Sequence, residues 1–182
     1  MLRRIVVVGA AGSGKSTLAA AVATRLGHPF IELDAIFWGP NWAAMQSDVF
    51  RERVTAAISG DIWVAAGNYT SARDLLWSRA DTLVWLDLPL PLILWRLLRR
   101  TLRRVLRRET LWGGNRETWR DAFFSRESLF PYAVTQHRRF RRELPALLAQ
   151  TYPHLTLIRL RTPSAVTTWL KNDLLRPASA SV

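Results

Sequence analysis

Short apolar runs alternate with amphipathic stretches along most of the chain. Five runs of four to six residues are rich in β-branched and aromatic side chains, which is typical of strands buried on both faces. They occupy residues 5–8, 29–33, 62–66, 82–86 and 155–160. Because helical segments separate them, the pattern predicts an α/β fold: a five-stranded parallel sheet between two helical layers.

The helical segments and their boundaries come from capping and stop signals. One helix begins after residue 14, and Ser47 is the expected cap of another that ends near Gly60. A closing helix is predicted over residues 164–175. With 182 residues and 49% hydrophobic content, we expect a single domain over residues 1–176 and a flexible tail at 177–182.

Residues 90–108 form the most strongly amphipathic stretch. Arginine recurs at every fourth position from Arg96 to Arg108, with leucines on the opposite face. Residues 96–142 hold fourteen arginines against four carboxylates, so this quarter of the chain carries most of the net charge of +12. Gly113 and Gly114 divide this Arg-rich region into two basic helical segments. This arrangement favours a hinged, Arg-rich helical lid over about residues 100–140, with a static helical hairpin as the alternative.

Composition excludes several classes of protein. The chain has no cysteine, so neither disulfides nor thiolate metal sites are available to it. Its longest apolar stretch, residues 82–95, is interrupted by Asp87, Pro89 and Pro91, and is too short to span a bilayer. We therefore expect a soluble, cytoplasmic protein. The sequence does not indicate an oligomeric state.

The clearest chemical signal is the segment from Gly9 to Ser16, which matches the phosphate-binding pattern G-x-x-x-x-G-K-[ST]. An apolar strand precedes it and a helix follows, so it predicts a three-layer P-loop NTPase fold that binds ATP. Lys15 is one of two lysines in a chain with 24 arginines, and its flexible ammonium suits the β- and γ-phosphates. The Ser16 hydroxyl is the candidate Mg²⁺ ligand. The candidate nucleotide-binding residues in the loop are Gly9, Ala11, Gly12, Ser13, Gly14, Lys15, Ser16 and Thr17.

Two further motifs accompany the loop. Leu33-Asp34-Ala35-Ile36-Phe37-Trp38 and Gly67-Asn68-Tyr69 resemble those of bacterial proteins called topology modulation proteins or adenylate-kinase-related kinases, over about residues 3–110. The resemblance implies a P-loop kinase of the nucleoside monophosphate kinase type. Such an enzyme transfers the γ-phosphoryl group of ATP, with Mg²⁺, to a small acceptor. Nucleotides and nucleosides are candidate acceptors, but the resemblance does not define which one is used.

The resemblance also assigns roles to individual residues. Asp34 lies where related kinases place a carboxylate that orients or deprotonates the acceptor hydroxyl, although a turn cap is the alternative. Arg96 would lie near the adenine and Arg100 near the phosphates. Many relatives end the third strand with Asp-Gly, whereas this chain has Ala66 before the glycine. In those relatives the acid helps to hold Mg²⁺. Here three alternatives are open: Asp34 or Asp87 takes over this role, turnover is slow, or the protein binds nucleotide without efficient transfer.

The acceptor site is predicted to be polar and aromatic. Candidate substrate-binding residues are Asp34, Trp38, Asn68, Tyr69 and Arg73, and Trp42 and Trp77 are further aromatic candidates. Core packing is the alternative for each aromatic side chain. Lys15, Asp34, Arg100 and Arg116 are the candidate catalytic residues, because a closed lid would turn Arg100 and Arg116 inward.

A nucleotide-gated nucleic-acid-binding P-loop ATPase is the alternative function. In that case the arginines of residues 96–142 would grip a phosphate backbone, with similar contributions from each outward side chain. A lid instead makes Arg100 and Arg116 more important for turnover than Arg104 and Arg139. We favour the lid, because a glycine pair between basic helices has no evident use in a rigid grip.

Overall fold

The sheet is built as its sequence pattern predicts. A computed structural model describes residues 2–118 and 129–174. Its strands are β1 (Arg4–Gly9), β2 (Phe30–Glu32), β3 (Trp63–Ala66), β4 (Thr82–Leu86) and β5 (Thr156–Leu160), paired in parallel in the order β2-β3-β1-β4-β5. The five-stranded parallel sheet is confirmed, and β1 lies at its centre. The loop that follows β1 therefore opens in the middle of the carboxyl edge, where parallel sheets bind ligands.

Helices separate the strands along the chain, and the last helix follows β5. They are α1 (Lys15–Leu26), α2 (Leu33–Phe37), α3 (Ser47–Ala57), α4 (Arg73–Arg79), α5 (Leu90–Leu106), α6 (Leu129–Thr151) and α7 (Pro163–Thr168), and a π-helical turn at Trp169–Asp173 follows α7. Short 3₁₀ turns occur at Pro40–Trp42, Thr70–Ala72 and Trp112–Gly114. In the described part of the chain, no helix has the length and apolar character needed to cross a membrane.

Several expected boundaries differ from those observed. Ser47 is the first residue of α3 rather than its cap, and Gln46 precedes the helix without a capping side-chain bond. The closing helix predicted over residues 164–175 consists of α7 and the π-helical turn. Its last residue, the tail at 177–182 and residues 119–128 of the expected lid lie outside the described residues.

Alternating side chains of β1 form two separate cores. Val6 and Val8 pack on one face of the sheet with side chains from α3, α4 and α6, among them Phe50, Val54, Leu76, Trp77 and Leu144. Ile5 and Val7 pack on the other face with α1 and the C-terminal helices, through Leu18, Val22 and Trp169. Each fully buried aliphatic or aromatic side chain of this kind contributes about 1.5–3 kcal/mol to folding. The result is the three-layer P-loop NTPase fold.

Asp87, directly after β4, anchors α6 to the edge of the sheet. Its side chain is 1% exposed, and its carboxylate accepts hydrogen bonds from Arg141 Nε at 2.7 Å and Arg159 Nη2 at 2.6 Å. His137 of α6 lies 3.1 Å from the Leu88 carbonyl oxygen, which requires Nε2 to donate. Since both carboxylate oxygens are bonded to guanidinium groups, the structure argues against the expectation that Asp87 helps to hold Mg²⁺.

The Gly113–Gly114 segment packs closely against another turn. A Cβ atom on Gly113 would lie 2.6 Å from the carbonyl carbon of Gly39. The Asn115 side chain accepts a hydrogen bond from the Trp42 amide at 2.9 Å and donates one to the Gly39 carbonyl at 2.8 Å. Gly113 thus permits the close approach of two backbones, a role different from the expected hinge. Lid closure remains a prediction.

Candidate active site

The loop from Gly9 to Ser16 joins β1 to α1, and the first backbone amides of a helix have no partner within the helix itself. Gly14 precedes α1 in a left-handed conformation (φ 93°), and no side chain caps this end of the helix. The Ser13 amide closes the loop by donating to the Ala10 carbonyl at 3.0 Å. Unpaired amide groups and the positive end of the α1 dipole together form an anion site.

The shape of the loop depends on Gly12. Its φ is +85°, and a Cβ atom there would lie 2.8 Å from the Ile93 carbonyl oxygen and 2.9 Å from the Leu97 Cβ. A side chain at position 12 would therefore push α5 away from the loop. Ser13 Oγ is buried and has no hydrogen-bond partner among the described residues. A backbone cradle with an unsatisfied hydroxyl fits a phosphate group.

Two carboxylates and a second cation surround the half-buried Lys15 ammonium. Burial lowers the pKa of Lys15, the nearby Arg100 lowers it further, and the carboxylates of Asp34 and Glu32 oppose the shift. Burial likewise lowers the pKa of Arg100, as does the neighbouring Arg104. The structure thus brings together Lys15, Asp34 and Arg100, three of the predicted catalytic residues. Such displaced titrations in a cleft are typical of functional sites.

Glu32, at the end of β2, is a residue that the sequence analysis missed. The Ser16 hydroxyl, the candidate Mg²⁺ ligand, lies near its carboxylate and acts to lower the pKa of Glu32. Its Oε1 atom is buried and lacks a hydrogen-bond partner in residues 2–118 and 129–174. Burial raises the pKa of Glu32, as does Asp34. The available signal was its position at a strand end two residues before Asp34. Glu32 can therefore supply a carboxylate near Ser16, where Ala66 offers none.

Tyr69 orients the Asp34 carboxylate. The Tyr69 hydroxyl donates to Asp34 Oδ1 at 2.6 Å. Burial and the adjacent Asp34 both raise the pKa of Tyr69, so the phenol stays protonated and remains a donor. Asp34 lies in the first turn of α2, yet this bond goes to a side chain rather than to the helix backbone. Among the described residues, the hydrogen bond from Tyr69 is the one that the structure gives to this carboxylate.

Two amide side chains brace the phosphate loop. Asn68 donates to the Gly9 carbonyl at 2.6 Å, and its Oδ1 accepts from the Gly9 amide at 3.3 Å. Gln136 of α6 accepts from the Ala11 amide at 3.1 Å and donates to the Tyr132 hydroxyl at 2.9 Å. Asn68, a predicted substrate contact, therefore already has a structural task. Gln136 was not foreseen, since it lies 125 residues away from Ala11 in the chain.

A cavity of about 110 Å³ lies between the start of α4 and α6. Asn68, Arg73 and Trp77 line one side. The opposite wall is formed by side chains of α6, among them Tyr132, Gln136, Arg139, Phe140, Glu143, Leu144 and Leu147. Tyr69 lines a smaller adjoining cavity. The expected residues Trp38 and Trp42 pack edge to face at 5.6 Å, and neither lines these cavities.

The predicted arginines have different environments. Arg96 lies against the phosphate loop, with Nη1 3.3 Å from the Ser13 carbonyl oxygen. The side chain of Arg116, expected to face inward, is exposed. Its neighbour Glu117 lies inward instead and accepts a hydrogen bond from Arg104 at 2.7 Å. Arg104, expected to face outward, is consequently half-buried. Arg96 and Arg100 therefore adjoin the loop, and Arg116 does not in this structure.

Sequence comparisons agree with a P-loop nucleotide-binding protein. Residues 5–81 match the profile of the ATPase family associated with various cellular activities (AAA), which covers the loop and strands β1 to β3. The chain is also similar to the uncharacterized protein YqaC of Bacillus subtilis (strain 168), at 29% identity over 140 residues, or 76% of this chain and 78% of that protein. The chain therefore shares the P-loop NTPase fold, and its first part resembles the AAA family in sequence.

Solved structures with the same fold include several kinases. The shikimate kinase of Acinetobacter baumannii in complex with shikimate has a TM-score of 0.57 at 19% identity, covering 96% of this chain and 92% of that one. The shikimate kinase of Bacteroides thetaiotaomicron has a TM-score of 0.53 at 14% identity, with 93% and 95% covered. A gluconokinase of Sinorhizobium meliloti 1021 has a TM-score of 0.50 at 19% identity, with 93% and 94% covered. At these identities the likeness concerns the fold.

The raised pKa of Glu32 makes a prediction about stability. Below its ordinary value of 4.5 the carboxyl is protonated whether the chain is folded or not. As pH rises, the unfolded chain releases this proton first, so ionisation destabilises the folded state. Replacing Glu32 with Gln should therefore stabilise the protein at pH 7.5 and lose this advantage near pH 4, as measured by urea unfolding.

Glu52→Gln on the exposed face of α3 is the matched control, and its effect should not depend on pH in this way. A stabilisation of Glu32→Gln that is the same at both pH values would contradict the burial of an ionised carboxylate at this position.

Proposed function

We propose that this protein is an ATP-dependent kinase that transfers the γ-phosphoryl group to a small hydroxylated acceptor. The observation that carries the proposal is the convergence of the phosphate loop, Lys15, Arg100 and a Tyr69-oriented Asp34 beside a cavity. We further propose that the protein belongs to the adenylate-kinase-related kinases, whose motifs its sequence resembles. It would act in the cytoplasm.

The roles of the residues follow from the charges of the reaction. The acceptor hydroxyl oxygen bonds to the γ-phosphorus while the bond from that phosphorus to the β,γ-bridging oxygen breaks, and ADP leaves. Asp34 orients the hydroxyl and takes its proton. Lys15 and Arg100 compensate the negative charge on the transferred group, and Arg96 lies beside the nucleotide.

A magnesium ion fits the residues at the end of β2 and the start of α1. Ser16 would bind it directly and Glu32 would help to hold it, since the Glu32 Oε1 atom has no hydrogen-bond partner among the described residues. When bound, Mg²⁺ neutralises charge on the β- and γ-phosphate oxygens. Asp34 is left to the acceptor.

Two further observations support a small-molecule acceptor. The cavity between the start of α4 and α6 measures about 110 Å³, a space for part of a small molecule and not for a macromolecule. Several of the solved structures that share the fold are named as kinases of shikimate, gluconate or a sugar. A hydroxyl group on a compact metabolite suits both observations.

Lys15 provides the first test. Lys15→Ala should weaken binding of ATP with Mg²⁺ by about 10- to 100-fold, because a charge-assisted contact to phosphate is lost. Lys171 is the other lysine of the chain and is exposed. Lys171→Ala should leave binding unchanged in calorimetric titrations. Equal affinities of wild type and Lys15→Ala would rule out the loop as the nucleotide site.

Nucleic-acid binding is the second candidate function, and the outer face of α5 favours it. Trp95 is 59% exposed, and Arg99 and Arg103 follow it at four-residue intervals on the same exposed stripe. Arginines with an exposed aromatic ring can bind phosphates and stack on bases. In this function the loop would act as a nucleotide-dependent switch.

Two adjacent arginines of α5 separate these functions. For a kinase, Arg100→Ala should lower kcat/KM by about 100-fold, as for other losses of a transition-state donor, while Arg99→Ala stays within about twofold. For a nucleic-acid-binding protein, Arg99→Ala should lower the salt dependence of DNA binding by about one counterion and Arg100→Ala should not.

Both variants are measured in an ATP turnover assay and in DNA titrations over a range of salt. Equal, small effects on turnover together with a loss of DNA affinity in Arg99→Ala would favour the second function.

A further inference from the structure

We infer that the acceptor is a compact molecule with an anionic group, a carboxylate or a phosphate, which Arg73 and Arg139 hold at one end of the cavity while its hydroxyl faces Asp34. This inference rests on the proposed kinase function and specifies its substrate class.

Arg73 is a half-buried cation without a carboxylate partner. Its guanidinium lies 5.1 Å from the ring centre of Trp77 and lines the cavity. Within the described ranges, no hydrogen bond or ion pair reaches this guanidinium. Burial lowers the pKa of Arg73, and the nearby Arg139 lowers it further, so the free protein holds a cation that it stabilises poorly. An anion in the cavity would supply the missing partner.

The carboxylate that shares the cavity with Arg73 is already engaged. Glu143 lines the same cavity, but it accepts from Arg139 Nε at 2.7 Å and from Arg142 Nη2 at 2.9 Å. This end of the cavity therefore has more positive than negative charge. Arg139 is exposed and pairs with Glu143 across one helical turn, so it can turn toward a ligand at little cost.

The opposite end of the cavity faces the phosphate loop. Gln136 lines the cavity and bonds to the Ala11 amide of the loop. Tyr132 also lines it, and its pKa is raised by burial and by the charge of Asp34, which indicates that this carboxylate is near. A bound acceptor would thus extend from the cationic end toward the site of transfer.

The volume of the cavity limits the part of the acceptor that it can enclose. It measures about 110 Å³, and cavities of about 150 Å³ admit a benzene ring. The cavity is therefore large enough for the anionic group and the few carbon atoms next to it, with an apolar wall of Trp77, Phe140 and Leu144 against those carbon atoms. In a hydroxy acid or a phosphorylated polyol of about six carbons, the rest of the chain would extend out of the cavity toward the phosphate loop and Asp34.

Three probes with the same carbon chain test the inference. Gluconate ends in a carboxylate, glucitol in a neutral hydroxyl and glucitol 6-phosphate in a phosphate, and their affinities are measured by calorimetry with ADP and Mg²⁺ present. At least one anionic probe should bind at least 10-fold more tightly than glucitol. The stronger of the two anions identifies the group that the site recognises.

Variants at Arg73 test whether the preference for an anionic probe depends on this side chain. Arg73→Ala should abolish the difference between the anionic probe and glucitol. Arg73→Lys, which keeps a charge and an aliphatic stem over Trp77, should retain most of it and guards against a folding defect. Arg53→Ala removes an exposed arginine of α3 and should change nothing.

The inference is overturned by equal affinities for glucitol and both anions, by no measurable binding of any probe, or by a preference that survives in Arg73→Ala. Nucleotide binding in the same samples separates this result from a failure of the proposed function. A protein that binds ATP and phosphorylates glucitol as fast as gluconate would remain a kinase but would not select anions.

Discussion

The candidate active site depends on the fixed shape of the loop from Gly9 to Ser16, which leads into the positive end of α1. Close packing fixes this loop: α5 lies so near Gly12 that no side chain fits between them, and Asn68, in the segment after β3, bonds to the Gly9 backbone. Gln136 adds a third support from α6. Because these supports come from three elements of the fold, the loop is preorganised for phosphate, and little ordering remains to be done when a nucleotide binds.

The charged residues of the protein fall into two groups that differ in how well they are compensated. Asp87 is almost completely buried, yet two arginines satisfy it, so its role is to hold α6 on the sheet. Around Lys15 the compensation is incomplete: Glu32 keeps an unsatisfied oxygen, and the pKa values of Lys15, Glu32 and Arg100 are all displaced by burial. Incomplete compensation of this kind is expected where a ligand completes the site.

The sequence predicts local features well and long-range contacts poorly. Each strand and the phosphate loop consist of contiguous residues with a recognisable local pattern. Their predicted boundaries agree with the observed ones to within a few positions. The predicted role of Asp34 rested on a family resemblance. The structure adds the hydrogen bond from Tyr69, which orients its carboxylate. Glu32 was missed because one glutamate at a strand end carries little signal before its contact with Ser16 is known. The Gly113 contact with Gly39 and the inward position of Glu117 depend on loops that meet only in the folded chain.

The central claim is phosphoryl transfer from ATP to a small hydroxylated acceptor, with Asp34 receiving the proton. Incubation with ATP whose γ-phosphate carries ¹⁸O, followed by mass spectrometry across a panel of hydroxy acids, polyols and nucleosides, tests it most directly. We expect a labelled phosphate ester from the wild-type protein, and none from Asp34→Asn, which should still bind ATP. Labelled inorganic phosphate as the sole product across the panel, or undiminished ester formation by Asp34→Asn, would contradict the account.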